Sequence, residues 1–411
     1  MRGRSLVLVT LQLVTLVGLL AFGARAQEGG SAPPPPLPGG GSAPPPSAPG
    51  AEAPEPAAVD KAADKPAEVK PPEKPRGPVK PQKGAGEPAP RLTDVDWLIG
   101  KPVKQFARGT AYLVFFWAPY DFESLRMLPR LAELQTAHAA ERFSVILVAI
   151  ADKPDQTPID GFVERRKSSL PFLVARDKLD KTAAAWDALV GLGVPRAVLV
   201  DRAGRIAWSG NPLNGMQDAT AAMLAEDKAK LDDVVATQRE LQAAFNEPKA
   251  PFEKSYRRVE GGEEKCLGLV EQMEAIDAER AAPYGVMHYW LLLKLAKKDE
   301  AAALGRKLVA GTLKDSEGGL NDLAWTIVDP KGDVKDPDLE LASLAANRAN
   351  ELSLGQDGAI LDTLARVKYR QGNKEDAIRL QGLAVKAAWT GAMRAQLQKS
   401  LDEYKAGPAK K

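Results

Sequence analysis

The sequence predicts an α/β domain with a central mixed sheet flanked by helices, followed by an all-α helical repeat domain. Apolar runs typical of buried strands occur at residues 112–117, 143–150 and 197–200, and amphipathic helical patterns lie between them. Helical periodicity without a convincing strand extends over residues 226–411. The length of 411 residues also favours more than one hydrophobic core.

Composition excludes several functional classes. The single cysteine, Cys266, cannot form an intramolecular disulfide, a CxxC redox pair or a four-cysteine zinc site. The two histidines, His138 and His288, are too few for an all-histidine metal site. A formal net charge of +2 gives no excess able to attract a phosphate backbone. We therefore expect no metal, no cofactor and no nucleic-acid partner.

The first 26 residues have the three parts of a secretory signal peptide. Arg2 and Arg4 precede an apolar stretch over residues 6–23, and Ala24-Arg25-Ala26 supplies a small-residue cleavage site. The pattern predicts an extracytoplasmic protein, periplasmic or secreted. The alternative is an uncleaved membrane anchor, which would be the protein's only link to a membrane.

A linker is predicted over residues 27–90. More than half of the 33 prolines fall between Ser31 and Pro90, in a segment that has no aromatic residue. Such a chain cannot bury enough apolar surface to offset the entropy of ordering. We expect a disordered, extended spacer rich in Pro, Ala and Gly.

The α/β domain is predicted over residues 91–225. Its strands and helices alternate, which is typical of a sheet covered on both faces. The expected strands cover residues 112–117, 143–150, 197–200 and 205–208, and the expected helices cover residues 124–140, 159–167 and 181–190.

Within this domain a series of motifs occurs in a fixed order: Trp97 with Gly100-Lys101-Pro102, then Leu113 to Ala118, Pro129, Gly193-Val194-Pro195, and Val200-Asp201 with Gly204-Arg205-Ile206. This series resembles the extracytoplasmic thioredoxin-like proteins of the TlpA/redoxin type. That family places WA-x-x-C-x-x-C between its first strand and helix, and a proline follows five residues later. Here Trp117 and Ala118 are kept, but Asp121 and Ser124 stand at the cysteine positions. The resemblance implies a thioredoxin-like fold with a degenerate active site.

Loss of both thiols argues against redox catalysis. Thiol–disulfide exchange needs a thiolate at a helix N-terminus and a second cysteine to resolve the mixed disulfide. Asp121 can cap the helix at that position, but it cannot exchange electrons. We therefore interpret Asp121 and Glu123 as helix-capping and dipole-compensating residues. The alternative is a carboxylate pair for acid–base or metal chemistry.

The resemblance also implies a peptide-binding surface. The family's proline equivalent to Pro195 is cis, and the residue before it, here Val194, pairs with the backbone of bound peptides. Trp117 and Tyr120 would flank such a groove, although both are equally suited to the core. The simpler alternative is that Pro195 only marks the entry to a strand.

The helical domain, residues 226–411, shows a repeat. Gly372 to Ala377 has the G-x-x-E-x-A pattern of a tetratricopeptide (TPR) second helix, and residues 260–388 resemble TPR-like hairpins with a capping helix over 390–404. The small residues that align in this register are Ala377, Ala342, Ala302 and Cys266. Cys266 is therefore expected to be a buried packing residue, not a reactive thiol, and His288 is expected to pack against aromatic side chains.

Two functions follow from these features. The first is an exported, non-catalytic thioredoxin-fold protein that binds a protein or peptide, or acts as a scaffold, with its TPR-like array. The alternative is a TlpA-like thiol–disulfide oxidoreductase, active in redox homeostasis, that works with a partner's thiol.

Overall fold

The computed structural model describes residues 80–150, 159–256, 262–330, 332, 334 and 336–407. The predicted signal peptide and residues 27–79 of the predicted linker lie outside the described residues. Within the described part of the chain, no helix is both long enough and apolar enough to cross a membrane.

Six strands form one mixed sheet in the spatial order β1-β4-β3-β2-β5-β6. The central strands β2, β3 and β4 are parallel, whereas β1, β5 and β6 join by antiparallel pairing. Every residue of β2 is buried, because helices cover both faces of the sheet. The bounds are β1 (Val95–Ile99), β2 (Ala111–Trp117), β3 (Phe143–Ala149), β4 (Leu173–Asp177), β5 (Arg196–Val200) and β6 (Ile206–Gly210).

Four helices belong to this sheet, and their positions confirm the predicted α/β architecture. Apolar residues of α1, α2 and α4 pack on one face, and those of α3 pack on the other. The bounds are α1 (Phe122–Ala137), α2 (Ile159–Arg166), α3 (Lys181–Val190) and α4 (Met216–Leu224). The four predicted strands and three predicted helices are confirmed, while β1, β4 and α4 were not predicted.

The rest of the described chain is helical. Its helices are α5 (Lys228–Tyr256), α6 (Glu263–Ile276), α7 (Ala278–Ala281), α8 (Gly285–Lys294), α9 (Lys298–Ala310), α10 (Glu317–Val328), α11 (Leu339–Leu352), α12 (Gly358–Arg370), α13 (Lys374–Ala387) and α14 (Gly391–Ala406). Helix α8 packs against α9, α10 against α11, and α12 against α13. In addition, α10 contacts both α8 and α12, so successive hairpins stack side by side.

The small residues used to align the repeats occupy the crossings of these helices. Cys266, Ala342 and Ala377 are fully buried. The alignment is wrong by one residue in the remaining hairpin, because Ala301 is buried there whereas Ala302 is half-buried. A side chain much larger than alanine or cysteine at these positions would hold the packed helices apart.

Residues 80–90 and helix α5 each link parts of the chain that two of the predicted boundaries separate. Residues 80–90, which were assigned to the linker, are bonded to the sheet: the amide of Gly86 donates to the carbonyl of Ile206, and Pro88 bridges to Arg205. Helix α5, which begins just after the predicted boundary at residue 225, contributes side chains to both hydrophobic cores. Val235, in the first half of α5, belongs to the core beside the sheet, whereas Phe252 belongs to the helical core.

Candidate functional site

The candidate site is the turn that joins β2 to α1, where the resembling family carries its cysteines. Asp121 is the N-cap of α1, and its carboxylate accepts hydrogen bonds from the backbone amide of Ser124 at 2.8 Å and from the Ser124 hydroxyl at 2.6 Å. The backbone amide of Ala118 donates to the same hydroxyl oxygen at 3.3 Å. The prediction that Asp121 caps the helix is confirmed.

Burial sets the chemistry of this pair. Ser124 is fully buried, and burial raises the pKa of Asp121, although the two hydrogen bonds from Ser124 counteract part of that effect. The hydroxyl already donates to the carboxylate, and neither residue has a sulfur atom. The Asp121–Ser124 pair is therefore a hydrogen-bonded structural cap at the start of α1.

The four residues predicted to bind peptide are divided between core and surface. Trp117 is fully buried, with its ring centroid 5.3 Å from that of Phe162, so the core alternative is correct for this residue. Tyr120, Val194 and Pro195 are half-buried. The peptide bond between Val194 and Pro195 is cis, as the resemblance implies.

The position of the Val194–Pro195 segment follows from strand register. Phe116 of β2 pairs with Arg196 of β5. Because the two strands are antiparallel, the residues just before Arg196 lie beside the residues just after Phe116, at the start of the β2–α1 turn. The sheet therefore brings the Val194–Pro195 segment to the same edge as Asp121.

The helical part of the chain covers the start of α1. Arg126, which is only 2% exposed, donates from Nη1 to the carbonyl oxygen of Thr312 at 3.1 Å and from Nη2 to the carbonyl oxygen of Glu279 at 3.3 Å. Arg130 donates to the Glu279 carboxylate at 2.9 Å. We call the set Asp121, Glu123, Arg126, Arg130, Glu279 and Thr312 the α1 interface.

Glu123 is the acidic residue most affected by this interface. Its carboxylate lies 3.2 Å from Nη2 of Arg126, and Oε2 makes no hydrogen bond within the described structure. Burial raises the pKa of Glu123 to about 7, and the attraction of Arg126 offsets only part of that rise. The nearby carboxylates of Asp121 and Glu279 raise it further.

A second contact joins α2 to the helical part. Arg166 forms an ion pair with the largely buried carboxylate of Glu317 at the start of α10. The guanidinium of Arg165 lies 3.5 Å from the ring centroid of Trp389, a cation–π arrangement. Gly161 leaves room for this ring, since a Cβ there would lie 3.2 Å from it.

Apart from Asp121 and Glu123, the residues of these contacts were not predicted from the sequence. Glu123 and Arg126 are three residues apart, a spacing that also occurs in ordinary surface ion pairs of a helix. Nothing in the sequence identifies Glu279 or Thr312 as their neighbours, because they are more than 150 residues away along the chain.

Cys266 and His288 lie in the helical core, away from the α1 interface. Cys266 is free and fully buried, and burial raises the pKa of its thiol, which agrees with the predicted packing role. His288 is buried as expected, but its partners are acidic. Its Nδ1 lies 2.9 Å from Glu274, and its Nε2 lies 4.0 Å from Glu271.

The described residues contain no group of three or more His, Cys, Asp or Glu side chains that could hold a metal ion. The chemically distinctive feature of the site is instead its closure: a capped helix start, a buried arginine and a desolvated glutamate under the helical part of the same chain.

The solved structures that are similar to part of this chain include thioredoxin-like proteins. A protein from Neisseria meningitidis, provisionally assigned as a thioredoxin, is 26% identical, covers 36% of this chain and 93% of its own, and has a TM-score of 0.28. A protein from Bacteroides thetaiotaomicron, provisionally assigned as a protein disulfide isomerase, is 20% identical over 37% of this chain and 99% of its own, with a TM-score of 0.30.

A thiol:disulfide interchange protein of the thioredoxin family from Chlorobium tepidum is 16% identical, covers 36% of this chain and 97% of its own, and has a TM-score of 0.25. No protein-family model and no curated protein matches the sequence. Each of these matches covers about a third of the chain, and the mixed sheet with its flanking helices resembles a thioredoxin-like fold.

Proposed function

We propose that this chain is an exported, non-catalytic protein of thioredoxin-like fold that binds a protein or peptide partner, with TPR-like helical hairpins as its second part. The observation that carries the proposal is the Asp121–Ser124 pair. The two residues stand at the positions that the sequence resemblance assigns to the family's cysteines, and their hydrogen bonds to each other and to the backbone stabilise the helix start.

The chemistry of exchange supports a role without catalysis. Disulfide reduction requires a thiolate that attacks sulfur, and the attacking group must be accessible. Asp121 and Ser124 supply oxygen only, and the one thiol of the chain, Cys266, is fully buried. The signal peptide predicted from residues 1–26 supports an extracytoplasmic location.

The alternative function is a thiol–disulfide oxidoreductase that uses a partner's thiol. Such a partner would have to bring a sulfur atom to the start of α1. Ser124 is fully buried there, and the helical part contacts the same turn of α1 through Arg126. Burial of Ser124 argues against redox chemistry at this position.

The binding surface that we propose includes the Val194–Pro195 segment. Both residues are half-buried and lie beside the β2–α1 turn, so their backbone can pair with an extended peptide. The stacked hairpins of the helical part supply the larger surface that repeat arrays use for partners.

The catalytic part of the proposal is tested by insulin reduction with a thiol donor. We expect the full chain to give the uncatalysed rate and Cys266→Ala to behave identically. Activity of the unaltered chain that disappears in Cys266→Ala would overturn the proposal, because the nucleophile would then be the thiol of the helical core.

The binding part is tested with fluorescein-labelled, reduced and carboxymethylated α-lactalbumin, an unfolded chain without free thiols. We expect saturable binding by fluorescence anisotropy. Val194→Pro, which removes the backbone N–H, should weaken binding about tenfold, whereas Val194→Ala should keep it within about twofold. Equal affinities of the two variants would contradict pairing through this segment.

A further inference from the structure

The α1 interface contains three acids and two bases, and two of the acids, Asp121 and Glu123, are desolvated by burial, which raises the pKa of each. Glu123 lies 3.2 Å from Arg126, and Glu279, which is partly exposed, lies 2.9 Å from Arg130 and 3.8 Å from Arg126. When all five groups are ionised, one carboxylate has no matching cation. Charges in such a space are stable only when they are paired and hydrogen-bonded.

Glu123 is the group that lacks full compensation. Asp121 accepts two hydrogen bonds from Ser124, and Glu279 lies 2.9 Å from Arg130. Glu123 contacts Arg126 at 3.2 Å, but the hydrogen bonds of that guanidinium go to two backbone carbonyl groups of the helical part. The buried Oε2 atom of Glu123 accepts no hydrogen bond in the described structure.

The neighbouring helix α10 adds no free cation. Its buried acid, Glu317, is paired with Arg166 of α2, and the carboxylate of Asp322 further along the helix is also desolvated. Among the charged groups that act on Glu123, Arg126 and Arg130 lower its pKa, whereas Asp121 and Glu279 raise it.

We propose that the α1 interface is a pH-sensitive contact, held more tightly when Glu123 is protonated and weakened when Glu123 is ionised. A protonated carboxyl group has no charge to desolvate, and its O–H is a donor that the ionised form lacks. Opening of the interface returns Glu123 to water at the start of α1. It also exposes the β2–α1 turn.

The direction of the pH dependence follows from the pKa of Glu123 in the closed and open states of the interface. Burial raises the pKa of Glu123 to about 7 in the closed state, whereas an open Glu123 has an ordinary pKa near 4.5. The closed state therefore binds more protons between these two values. The contact is strongest below about pH 4.5, weakens as the pH rises to about 7, and changes little above that.

This inference does not depend on partner binding, and its test measures opening alone. Hydrogen–deuterium exchange of the full chain is followed by mass spectrometry from pH 5 to pH 8, with the known pH dependence of chemical exchange removed. Peptides that cover α1 and α7 report on the interface, and a peptide that covers α13 reports on global folding. We expect the interface to open about 10- to 100-fold more at pH 8 than at pH 5, with α13 unchanged.

Two variants and a matched control give the proposal its specific test. Glu123→Gln should keep the low-pH protection at every pH and lose most of the pH dependence. Glu279→Gln removes a nearby negative charge, so the midpoint of opening should move to lower pH. Glu133→Gln, on the exposed side of α1, should behave like the unaltered chain. A pH-independent interface in the unaltered chain, or an unchanged pH profile in Glu123→Gln, would overturn the proposal.

Discussion

Arg126 donates a hydrogen bond of 3.1 Å to the backbone carbonyl of Thr312, which is 186 residues away along the chain. This bond joins the first helix of the thioredoxin-like part to the turn between α9 and α10. A guanidinium in such a position must satisfy its donors with protein acceptors, because it is almost completely shielded from water. The helical part is therefore a structural partner of α1 and not a separate appendage.

Replacing Arg126 by Met should weaken the contact between the two parts strongly. The change leaves Glu123 as a buried acid without its nearest cation, and breaking a buried pair in this way costs about 3–5 kcal/mol. We expect the urea midpoint of unfolding to fall and α1 amides to lose protection. Adding Glu123→Gln to the same chain should restore part of the loss.

The control for Arg126→Met is Arg394→Met, at an exposed position of α14. It should change the free energy of unfolding by less than about 0.5 kcal/mol. If the Arg126→Met and Arg394→Met variants were equally stable, the interface contacts of Arg126 would contribute no net free energy.

Removal of the helix cap should destabilise the thioredoxin-like part. Asp121→Ala deletes the acceptor for the Ser124 amide and hydroxyl, and the loss of an N-cap costs about 0.5–2 kcal/mol. Asp121→Asn keeps a carbonyl oxygen that can accept from the same amide, so it should recover most of that loss. Thermal unfolding by circular dichroism measures both. Equal melting temperatures for Ala and Asn would mean that the cap contributes nothing.

Gly161 should respond to substitution in the opposite direction to an ordinary helical glycine. Gly→Ala usually stabilises a helix by up to about 1 kcal/mol. At Gly161, a Cβ would lie 3.2 Å from the Trp389 ring and 3.3 Å from the Arg165 guanidinium, so Gly161→Ala should push the ring away and cancel or reverse that gain.

The matched comparison for Gly161 is Gly268→Ala in α6, where a Cβ meets nothing within 4 Å. This variant should raise the free energy of unfolding. The two glycine variants are compared by urea unfolding, and a larger gain at Gly161 than at Gly268 would show that the Trp389 ring can move at no cost.

The thiol of Cys266 should react only slowly with thiol reagents in the folded protein. Its thiol is fully buried and its pKa is raised, so a disulfide reagent such as Ellman's reagent should label it much more slowly in buffer than in denaturant. Cys266→Ala should cost less than about 1.5 kcal/mol, because alanine occupies the equivalent crossings. Rapid labelling of the folded chain would contradict the packing role.

The sequence was sufficient for the two longest strands, which lie in the centre of the sheet, and less so for β1 and β4. Residues 111–117 and 143–149 form continuous apolar runs, which identify central strands without any alignment. Strand β1 is half-buried along most of its length, and β4 ends in the charged residues Arg176 and Asp177, so neither is a continuous apolar run. Their pairing with each other becomes evident only in the folded sheet.

Proline and glycine residues, which usually end helices, are misleading where tertiary packing or helix position removes their cost. Proline usually ends or kinks a helix, but α5 continues through Pro248 and Pro251. Phe245 and Phe252, on either side, are buried in the helical core and hold the helix in place. The consecutive glycines Gly318 and Gly319 also favour a helix break. They lie instead in the first turn of α10, where amides have no helical partner to lose.

The helix cap of the candidate site was predictable from the sequence, whereas the contacts that distant residues make with it were not. The spacing of Asp121 and Ser124 identified the cap, because both partners lie within one helical turn. The closure of that turn by Glu279 and Thr312 depends on how two distant parts of the chain pack, and residue patterns within a single helix carry no information on this.

Asp322 should make the helical part less stable as the pH rises. Burial raises its pKa from 3.8 to about 7, and the hydrogen bond with Asn321 counteracts only part of the effect. The folded state therefore binds more protons than the unfolded state between these values, and stability falls as the pH rises from about 4 to about 7. Asp322→Asn removes the charge and should stabilise the protein by about 1–3 kcal/mol at pH 8, with little effect at pH 4.

Melting temperatures of both chains at pH 4, 6 and 8 measure this difference, and Asp402→Asn, at an exposed position of α14, is the control. A stabilisation by Asp322→Asn that was the same at every pH would show that the charge of Asp322 is not responsible, since only an ionisable group couples stability to pH.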